Sequence, residues 1–308
     1  MKLAGVMTVI FRKISLLYTV LWGLLMPTML YAASEDEHWS VSIQIGAHAP
    51  QLTDLQKLYQ APTWGVGTIE GENDQEANTS EEFIIESPLQ GNTVGAKTSL
   101  TFHWHANNKH SIIFGLGTWE STVFGNQTEE LPQQGSLREI FYERRAKMSY
   151  TELSTGWRYD AFSFQKLNFY TRLSLHEVFD LDYRDDTVFT FFGNDNIVDF
   201  RRIVVMQAQT ASLLMGELGL GVEWEFNKWF GIGFEGAYLF AERRMQLKLS
   251  NDDIKGRSTV TEVTYFPYQA IDGQVGYLTG ANPGEGIYKT ANLDFSGWQV
   301  LFSLNIKY

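Results

Sequence analysis

A strict two-residue alternation near the end of the chain constrains the fold more than any other sequence feature. The apolar positions of this segment are Trp298, Val300, Phe302, Leu304, Ile306 and Tyr308. Polar or small residues fill most of the positions between them, with Leu301 as the exception. Successive side chains of a β-strand point to opposite faces, so the segment predicts a strand with one apolar and one polar face.

Seven earlier segments repeat the alternation, which gives eight candidate strands. They lie at residues 39–46, 99–105, 111–116, 152–159, 167–176, 214–224 and 230–240. Short connections at 106–109, 160–165 and 227–228 alternate with long segments at 48–92, 122–146, 183–205 and 249–287. An even number of strands, with short turns at one end and long loops at the other, is typical of a transmembrane β-barrel.

We therefore predict an all-β fold, an antiparallel up-and-down transmembrane barrel of eight strands with long extracellular loops. Two β-prone stretches, Thr187–Phe192 and Arg257–Tyr268, either extend hairpins above the membrane or raise the strand number to ten or twelve. Leu52–Tyr59 is compatible with a short helix. A secreted β-sandwich also alternates, but its outward face is the polar one.

The first 33 residues are typical of a cleaved secretory signal peptide. Its basic residues are Lys2, Arg12 and Lys13. An apolar stretch at 14–26 and the small residues Ala32 and Ala33 follow. This stretch is short for a membrane-spanning helix, which needs about 20 residues; an N-terminal membrane anchor is the alternative. The predicted domains are a signal peptide at 1–33 and a barrel at 34–308.

Composition narrows the class of protein further. The chain has no cysteine and a net charge of −12, and loss of the three basic residues of the signal peptide leaves −15. An acidic chain argues against nucleic acid as a partner, because phosphate binding needs a basic face. No later segment contains 18 consecutive apolar residues. A membrane protein without such segments has to cross the bilayer as a closed barrel.

Aromatic residues cluster where the predicted strands meet the short turns. The predicted membrane-interface aromatics are Trp39, Trp104, Trp157, Trp224, Trp229 and Tyr308. Trp and Tyr favour the boundary between lipid and water, because each combines an apolar ring with a polar group. Packing in a soluble β core is the alternative interpretation.

The face opposite the apolar one carries charges of both signs. The predicted lumen charge network comprises Glu152, Arg158, Arg172, His176, Glu217, Glu223, Glu235 and Lys307. Inside a narrow barrel these charges must pair, because burial of an unpaired charge is costly. They either fill the lumen as structural ion pairs or line a narrow polar pore. We expect Arg158 and Glu223 near the periplasmic end, and Arg172, Glu217 and Glu235 nearer the middle.

The sequence predicts no catalytic residues, metal site or cofactor, although three patterns are candidates. His103 and His105 share a strand face as metal ligands do, but a third ligand is missing. His176 with Ser174 offers a base and a nucleophile. The acidic residues Asp180, Asp182, Asp185 and Asp186 either hold divalent cations that bridge lipopolysaccharide or belong to a solvated loop.

The alternating W-x-V-x-F-x-L-x-I-x-Y ending resembles the C-terminal strand that bacterial outer-membrane barrels present to their assembly machinery, except that the family usually ends in Phe. In layout the chain is similar to small barrels of the OmpA, OmpX and OmpW type. The resemblance implies location in the bacterial outer membrane. It also implies contact with outer-membrane lipids and lipopolysaccharide, insertion by the barrel-assembly machinery, and loops exposed at the cell surface.

Three functions are compatible with this sequence. The first is a structural, adhesive or partner-binding barrel that acts through its surface loops, with an unidentified ligand. The second is a narrow porin-like channel for small solutes. The third is a membrane-embedded lipid-modifying hydrolase or acyltransferase. The mixed charges of the inward face favour the first over the second, because paired side chains fill a narrow lumen.

Overall fold

The computed structural model describes residues 39–60, 63–69, 79–85, 89, 93–130, 137–193, 198–210, 212–255, 260–267 and 286–307. The predicted signal peptide and Tyr308 lie outside the described residues. The elements in the described part are β1 (Trp39–Pro50), α1 (Thr53–Gln60), β2 (Thr63–Ile69), β3 (Thr79–Ile85), β4 (Gly95–Asn107), β5 (His110–Glu130), β6 (Leu137–Phe164), β7 (Leu167–Gly193), β8 (Val198–Thr210), β9 (Leu213–Glu225), β10 (Phe230–Phe240), β11 (Glu242–Lys255), β12 (Val260–Pro267), β13 (Gly286–Asp294) and β14 (Gly297–Lys307).

Eight of these strands form a closed antiparallel ring. The order around the ring is β1, β4, β5, β6, β7, β9, β10 and β14, and the pairing of β14 with β1 closes it. Each of the eight segments predicted from alternation contributes one ring strand. The predicted eight-stranded up-and-down barrel is therefore confirmed, and the remaining described strands lie outside the ring.

The outer face of the ring is apolar. Across the sheet, Ile43 lies opposite both Leu100 and Leu304, and all three side chains are exposed. Along β14 this face extends from Trp298 to Ile306. Nine residues at about 3.3 Å each, tilted by roughly 40°, cover about 23 Å, near the ~25 Å apolar band of transmembrane barrels. Among the described residues, no helix is both long and apolar enough to span a membrane.

One end of the barrel, here named the turn end, carries three short turns at Asn108–Lys109, Gln165–Lys166 and 226–229. Asparagine side chains shape two of these turns. The Asn107 Oδ1 accepts hydrogen bonds from the backbone N–H groups of Lys109 and His110, at 2.9 and 3.0 Å. In the turn at 226–229, the Asn227 Oδ1 accepts hydrogen bonds from the backbone N–H groups of Trp229 and Phe230. Such side-chain acceptors replace backbone partners in tight turns, so the sequence itself closes these hairpins.

At the opposite end, strands replace much of what the sequence predicted as loops. β5, β6 and β7 are 21, 28 and 27 residues long, so they extend well beyond the apolar band. The prediction of loops at 122–146 and 183–205 is wrong for most of their residues, because strand pairing continues through them, with register shifts between Leu137 and Glu139 and between Phe191 and Phe192. The interpretation of Thr187–Phe192 as a hairpin extension is confirmed, since these residues lie in β7.

The extended strands and α1 form a structure that we name the cap: residues 53–60, 121–130, 137–149, 181–193, 198–210, 242–255 and 286–294. In the cap, β8 pairs with the upper part of β7, β11 with β8, and β13 with β11. β7 changes its partner strand at Asp180, which has a φ of 54°. β7 pairs with β9 up to Val178 and with β8 from Leu181 onward. A second sheet contains β12, β2 and β3.

The interior of the cap is an apolar core. This core continues into the adjoining end of the barrel, where the rings of Trp119, Tyr150 and Phe295 are stacked or edge-on with centroids 5.2 to 6.3 Å apart. The predicted helix is confirmed as α1, and Leu55 and Tyr59 bury its inner face in this core. The Asp54 Oδ2 accepts a hydrogen bond from the backbone N–H of Asn292 at 2.8 Å, which ties α1 to β13.

Candidate functional site

The lumen of the barrel holds a continuous network of charged and polar side chains. All eight side chains predicted for the lumen charge network lie inside the ring and contact one another or a shared partner. Each is placed there by strand parity, because its neighbours in sequence point to the outer face. Sequence reasoning missed Lys97 and Tyr170 as members, although the alternation of β4 and β7 also turns them inward.

Towards the cap, the network begins at Lys97. Its Nζ lies 2.7 Å from the Glu152 Oε1, and both side chains are almost fully buried. The same Glu152 oxygen lies 3.3 Å from the Nδ1 of His176. The other ring nitrogen of His176 lies 3.2 Å from the Glu217 Oε2. The imidazole thus links carboxylates of β6 and β9, the two ring strands that flank β7.

The middle of the lumen is centred on Arg172. Its guanidinium donates to the Glu217 Oε1 at 2.5 and 2.6 Å, and its Nη2 lies 2.7 Å from the Glu235 Oε1. The hydroxyl of Tyr170 donates to the other Glu235 oxygen at 3.1 Å. Gly221 is directly opposite Tyr170, and a Cβ there would lie 2.2 Å from the ring. A glycine is therefore required for the tyrosine to lie across the lumen.

Arg158 connects the middle of the lumen to the turn end. Its guanidinium carbon lies 3.9 Å from the centre of the Tyr170 ring, a cation–π contact. Its Nη2 lies 2.9 Å from Glu223 and 2.7 Å from Asp160. The second Glu223 oxygen is 2.9 Å from the Nζ of Lys307, which also pairs with Glu225.

The arrangement pairs every cation of the lumen with at least one carboxylate. Lys97, Arg158, Arg172 and Lys307 face Glu152, Glu217, Glu223 and Glu235, and Asp160 and Glu225 add two further carboxylates at the turn end. Removing one member of such a buried pair typically costs about 3–5 kcal/mol, since the remaining charge is left without a partner. The lumen is therefore filled by side chains that ion pairs link to one another.

The two ends of the lumen differ. At the cap end, the fully buried His48 accepts a hydrogen bond from the Trp119 Nε1 at its backbone oxygen, 3.3 Å away. Trp119 belongs to the apolar core of the cap, which covers the lumen at this level. At the turn end, a polar cavity of about 180 Å³ remains. Its lining includes Ser40, His103, His105, Arg158, Glu223, Glu225, Asn305 and Lys307.

The two histidines proposed as metal ligands lie in the wall of this cavity. Their rings are stacked, with centroids 6.3 Å apart. Both nitrogens of His105 lie within hydrogen-bond distance of serine hydroxyls, Ser40 at 2.9 Å and Ser111 at 2.8 Å. Within the described residues, no group of three or more His, Cys, Asp or Glu side chains has a geometry that would hold a metal ion.

The candidate catalytic residues Ser174 and His176 are buried in the lumen. Both ring nitrogens of His176 are directed at carboxylates, Glu152 and Glu217. General-base catalysis would require one of them to accept the proton of the nucleophile. Neither side chain lies on the apolar outer face of the ring.

The candidate interface aromatics of the described part lie on the outer face of the turn end. Trp39 and Trp104 are neighbours, with ring centroids 6.5 Å apart. Trp157 donates its indole N–H to the His110 Nδ1 at 3.1 Å. Trp224 and Trp229 are about half exposed, at 46% and 50%.

The acidic run of β7 is divided between two environments, which corrects its interpretation as one solvated loop. Asp185 is fully buried in the cap and accepts hydrogen bonds from Arg144, at 2.6 to 3.1 Å, and from Tyr183, at 3.1 Å. Asp186, by contrast, pairs with Arg184 at the surface. The buried Asp185 and desolvation raise the pKa of the Tyr59 hydroxyl, with desolvation as the larger cause.

The closed eight-stranded ring, its apolar outer face and its charged interior define the class of fold: an up-and-down barrel of the transmembrane type. No protein-family model matches the chain, and no curated protein matches it.

Solved structures of similar layout include three bacterial proteins. The outer membrane protein OprG from Pseudomonas aeruginosa has a TM-score of 0.36 and 10% identity, over 90% of this chain and 98% of that chain. The outer membrane protease OmpT from Escherichia coli has a TM-score of 0.34 and 8% identity, over 90% of this chain and 100% of that chain. The attachment invasion locus protein Ail of Yersinia pestis has a TM-score of 0.26 and 9% identity, over 87% of this chain and 98% of that chain. At these values no activity is carried over.

Proposed function

We propose that this chain is an outer-membrane barrel that holds a folded cap at the bacterial cell surface, where the cap binds a partner molecule. In this proposal the barrel is a closed anchor. The single observation that carries it is the lumen, which is filled by paired charges and covered by an apolar core.

The outer face supports the membrane part of the proposal. Large apolar side chains on every ring strand are exposed, for example Leu220 at 65% and Trp298 at 67%. A soluble protein seldom exposes contiguous apolar patches larger than a few hundred Å². Lipid contact, in contrast, requires such a surface, and a closed ring leaves no strand edge inside the bilayer.

Export and orientation follow from the same proposal. Residues 1–33 act as the cleaved signal peptide, and the barrel-assembly machinery inserts the mature chain. Short turns face the periplasm in barrels of this type, and long segments face the exterior. The cap would then lie outside the cell, in contact with lipopolysaccharide at its base.

Conductance of the purified protein in planar lipid bilayers tests the closed-anchor proposal. We expect no stable unitary openings, because the side chains of Arg172, Glu217 and Glu235 occupy the middle of the lumen. Reproducible openings that change with Arg172→Gln would instead support the narrow channel. Lys147→Gln is the matched control, since Lys147 lies on the outside of the cap and pairs there with Glu120.

Location is tested independently by fractionation and surface labelling of intact cells. We expect the protein to remain in the outer-membrane fraction after extraction with alkaline carbonate, and protease added to intact cells to reach the cap. Recovery as a detergent-free soluble protein would contradict the proposal.

A further inference from the structure

The three short turns of the turn end have the same charge. Lys109, Lys166 and Lys228 are the charged residues of these turns, one in each, and all three are exposed. This is notable in a chain whose net charge is −12. The acidic excess of the protein is therefore not reflected at this surface.

The carboxylates nearest to these turns are directed inward. Asp160 pairs with Arg158, and Glu225 pairs with Lys307. Both carboxylates line the polar cavity at the lumen mouth. Among the described charged residues of the turn end, the three lysines are exposed, whereas Asp160 and Glu225 are intermediate in exposure.

Two of the lysines are held next to the aromatic residues of the outer face. The Nζ of Lys228 lies 4.9 Å from the centre of the Trp229 ring. The Nζ of Lys166 lies 3.4 Å from the backbone oxygen of Phe226. The third, Lys109, is followed by His110, whose ring stacks on Trp157 at 5.5 Å. Tryptophan favours the level of the lipid headgroups, so the ammonium groups lie at that level as well.

We propose that the turn end is a docking surface for anionic phospholipids of the leaflet that it faces. The three ammonium groups bind the phosphodiester of the headgroup, and the neighbouring aromatic rings lie along the upper part of the acyl chains. This inference rests on the membrane location proposed above. A lysine near an anionic membrane surface typically increases binding about fivefold.

Electron spin resonance with spin-labelled lipids tests the proposal. The protein is purified from bacterial membranes and placed in phosphatidylcholine bilayers that contain labelled phosphatidylglycerol or labelled phosphatidylcholine. The motionally restricted fraction of each label gives the relative association constant of each lipid with the barrel surface. The test variant is Lys109→Gln/Lys166→Gln/Lys228→Gln, and the control is Lys147→Gln at the opposite end.

We expect the native protein to prefer phosphatidylglycerol at least about fivefold at low salt, and less at high salt. The triple variant should lose this preference, and the control should keep it. Equal association of both lipids with the native protein, or an unchanged preference in the triple variant, would overturn the inference. A spectrum with no restricted lipid at all would overturn the membrane location as well, which separates the two failures.

Discussion

The lumen and the cap are two interiors of one molecule, and opposite kinds of side chain fill them. The lumen is filled by ion pairs such as Arg172 with Glu217, whereas the cap is filled by apolar side chains such as Phe189 and Phe191. The difference follows from what surrounds each part. The lumen wall has an apolar face towards the outside, so its polar residues lie inside. The wall of the cap has a polar face outside, so its apolar residues lie inside.

A single strand, β6, shows the inversion. In the barrel, Leu153 and Trp157 point outward and are exposed, and Glu152 points inward. In the cap, Tyr142 and Met148 point inward and are buried. The strand therefore changes which of its faces is apolar where it leaves the apolar band. This change marks the end of the apolar band more directly than strand length does.

Breaking the lumen network should have the largest effect. Arg172→Met leaves Glu217 and Glu235 without their shared cation and should lower the free energy of unfolding by about 3–5 kcal/mol. Denaturant titration in detergent micelles, followed by the mobility of folded and unfolded barrel on gels, measures the change. Arg184→Met is the control, because its ion pair is on the surface and such pairs contribute about 0–1 kcal/mol. An equal loss of unfolding free energy in both variants would mean that lumen and surface ion pairs contribute equally to stability.

A cavity in the cap should have a smaller and more local effect. Leu55→Ala removes a fully buried side chain of α1 and should cost about 2–4 kcal/mol. We expect the cap to become sensitive to protease while the barrel keeps its folded mobility. Leu304→Ala, on the exposed outer face, is the matched control. Simultaneous loss of barrel and cap would show that the two interiors fold as one unit.

Alkaline pH should have the smallest effect of the three changes, and it should destabilise the cap and not the lumen. The pKa of Tyr59 is raised in the folded cap, so its contribution to stability is fully present below pH ~10 and is lost as the pH rises through the folded pKa. Protease sensitivity of the cap should therefore increase above about pH 10, and Tyr59→Phe should make this dependence shallower. An identical pH profile of protease sensitivity in Tyr59→Phe would contradict the assignment of this pH dependence to Tyr59.

The alternation of the sequence was sufficient to predict the ring strands, because an apolar outer face and a charged inner face produce a regular period of two. The cap was largely missed for a physical reason. In the cap the outward positions of β5 are mostly polar, as at Thr122 and Asn126, so the expected outward apolar face is absent. Lys97 was missed because the predicted strand began two residues later, at Ser99. The pairing of Arg144 with Asp185 is a tertiary contact between strands, which no local pattern specifies.

The unbroken course of β6 and β7 has a mechanical consequence. Both strands run from the turn end into the cap, and one residue, Asp180, marks the place where β7 changes partner. A molecule that pulls on the cap would load the ladder between these strands along its length, where many hydrogen bonds share the force. The cap would resist being torn from the barrel wall and would transmit tension along β6 and β7 directly into the ring.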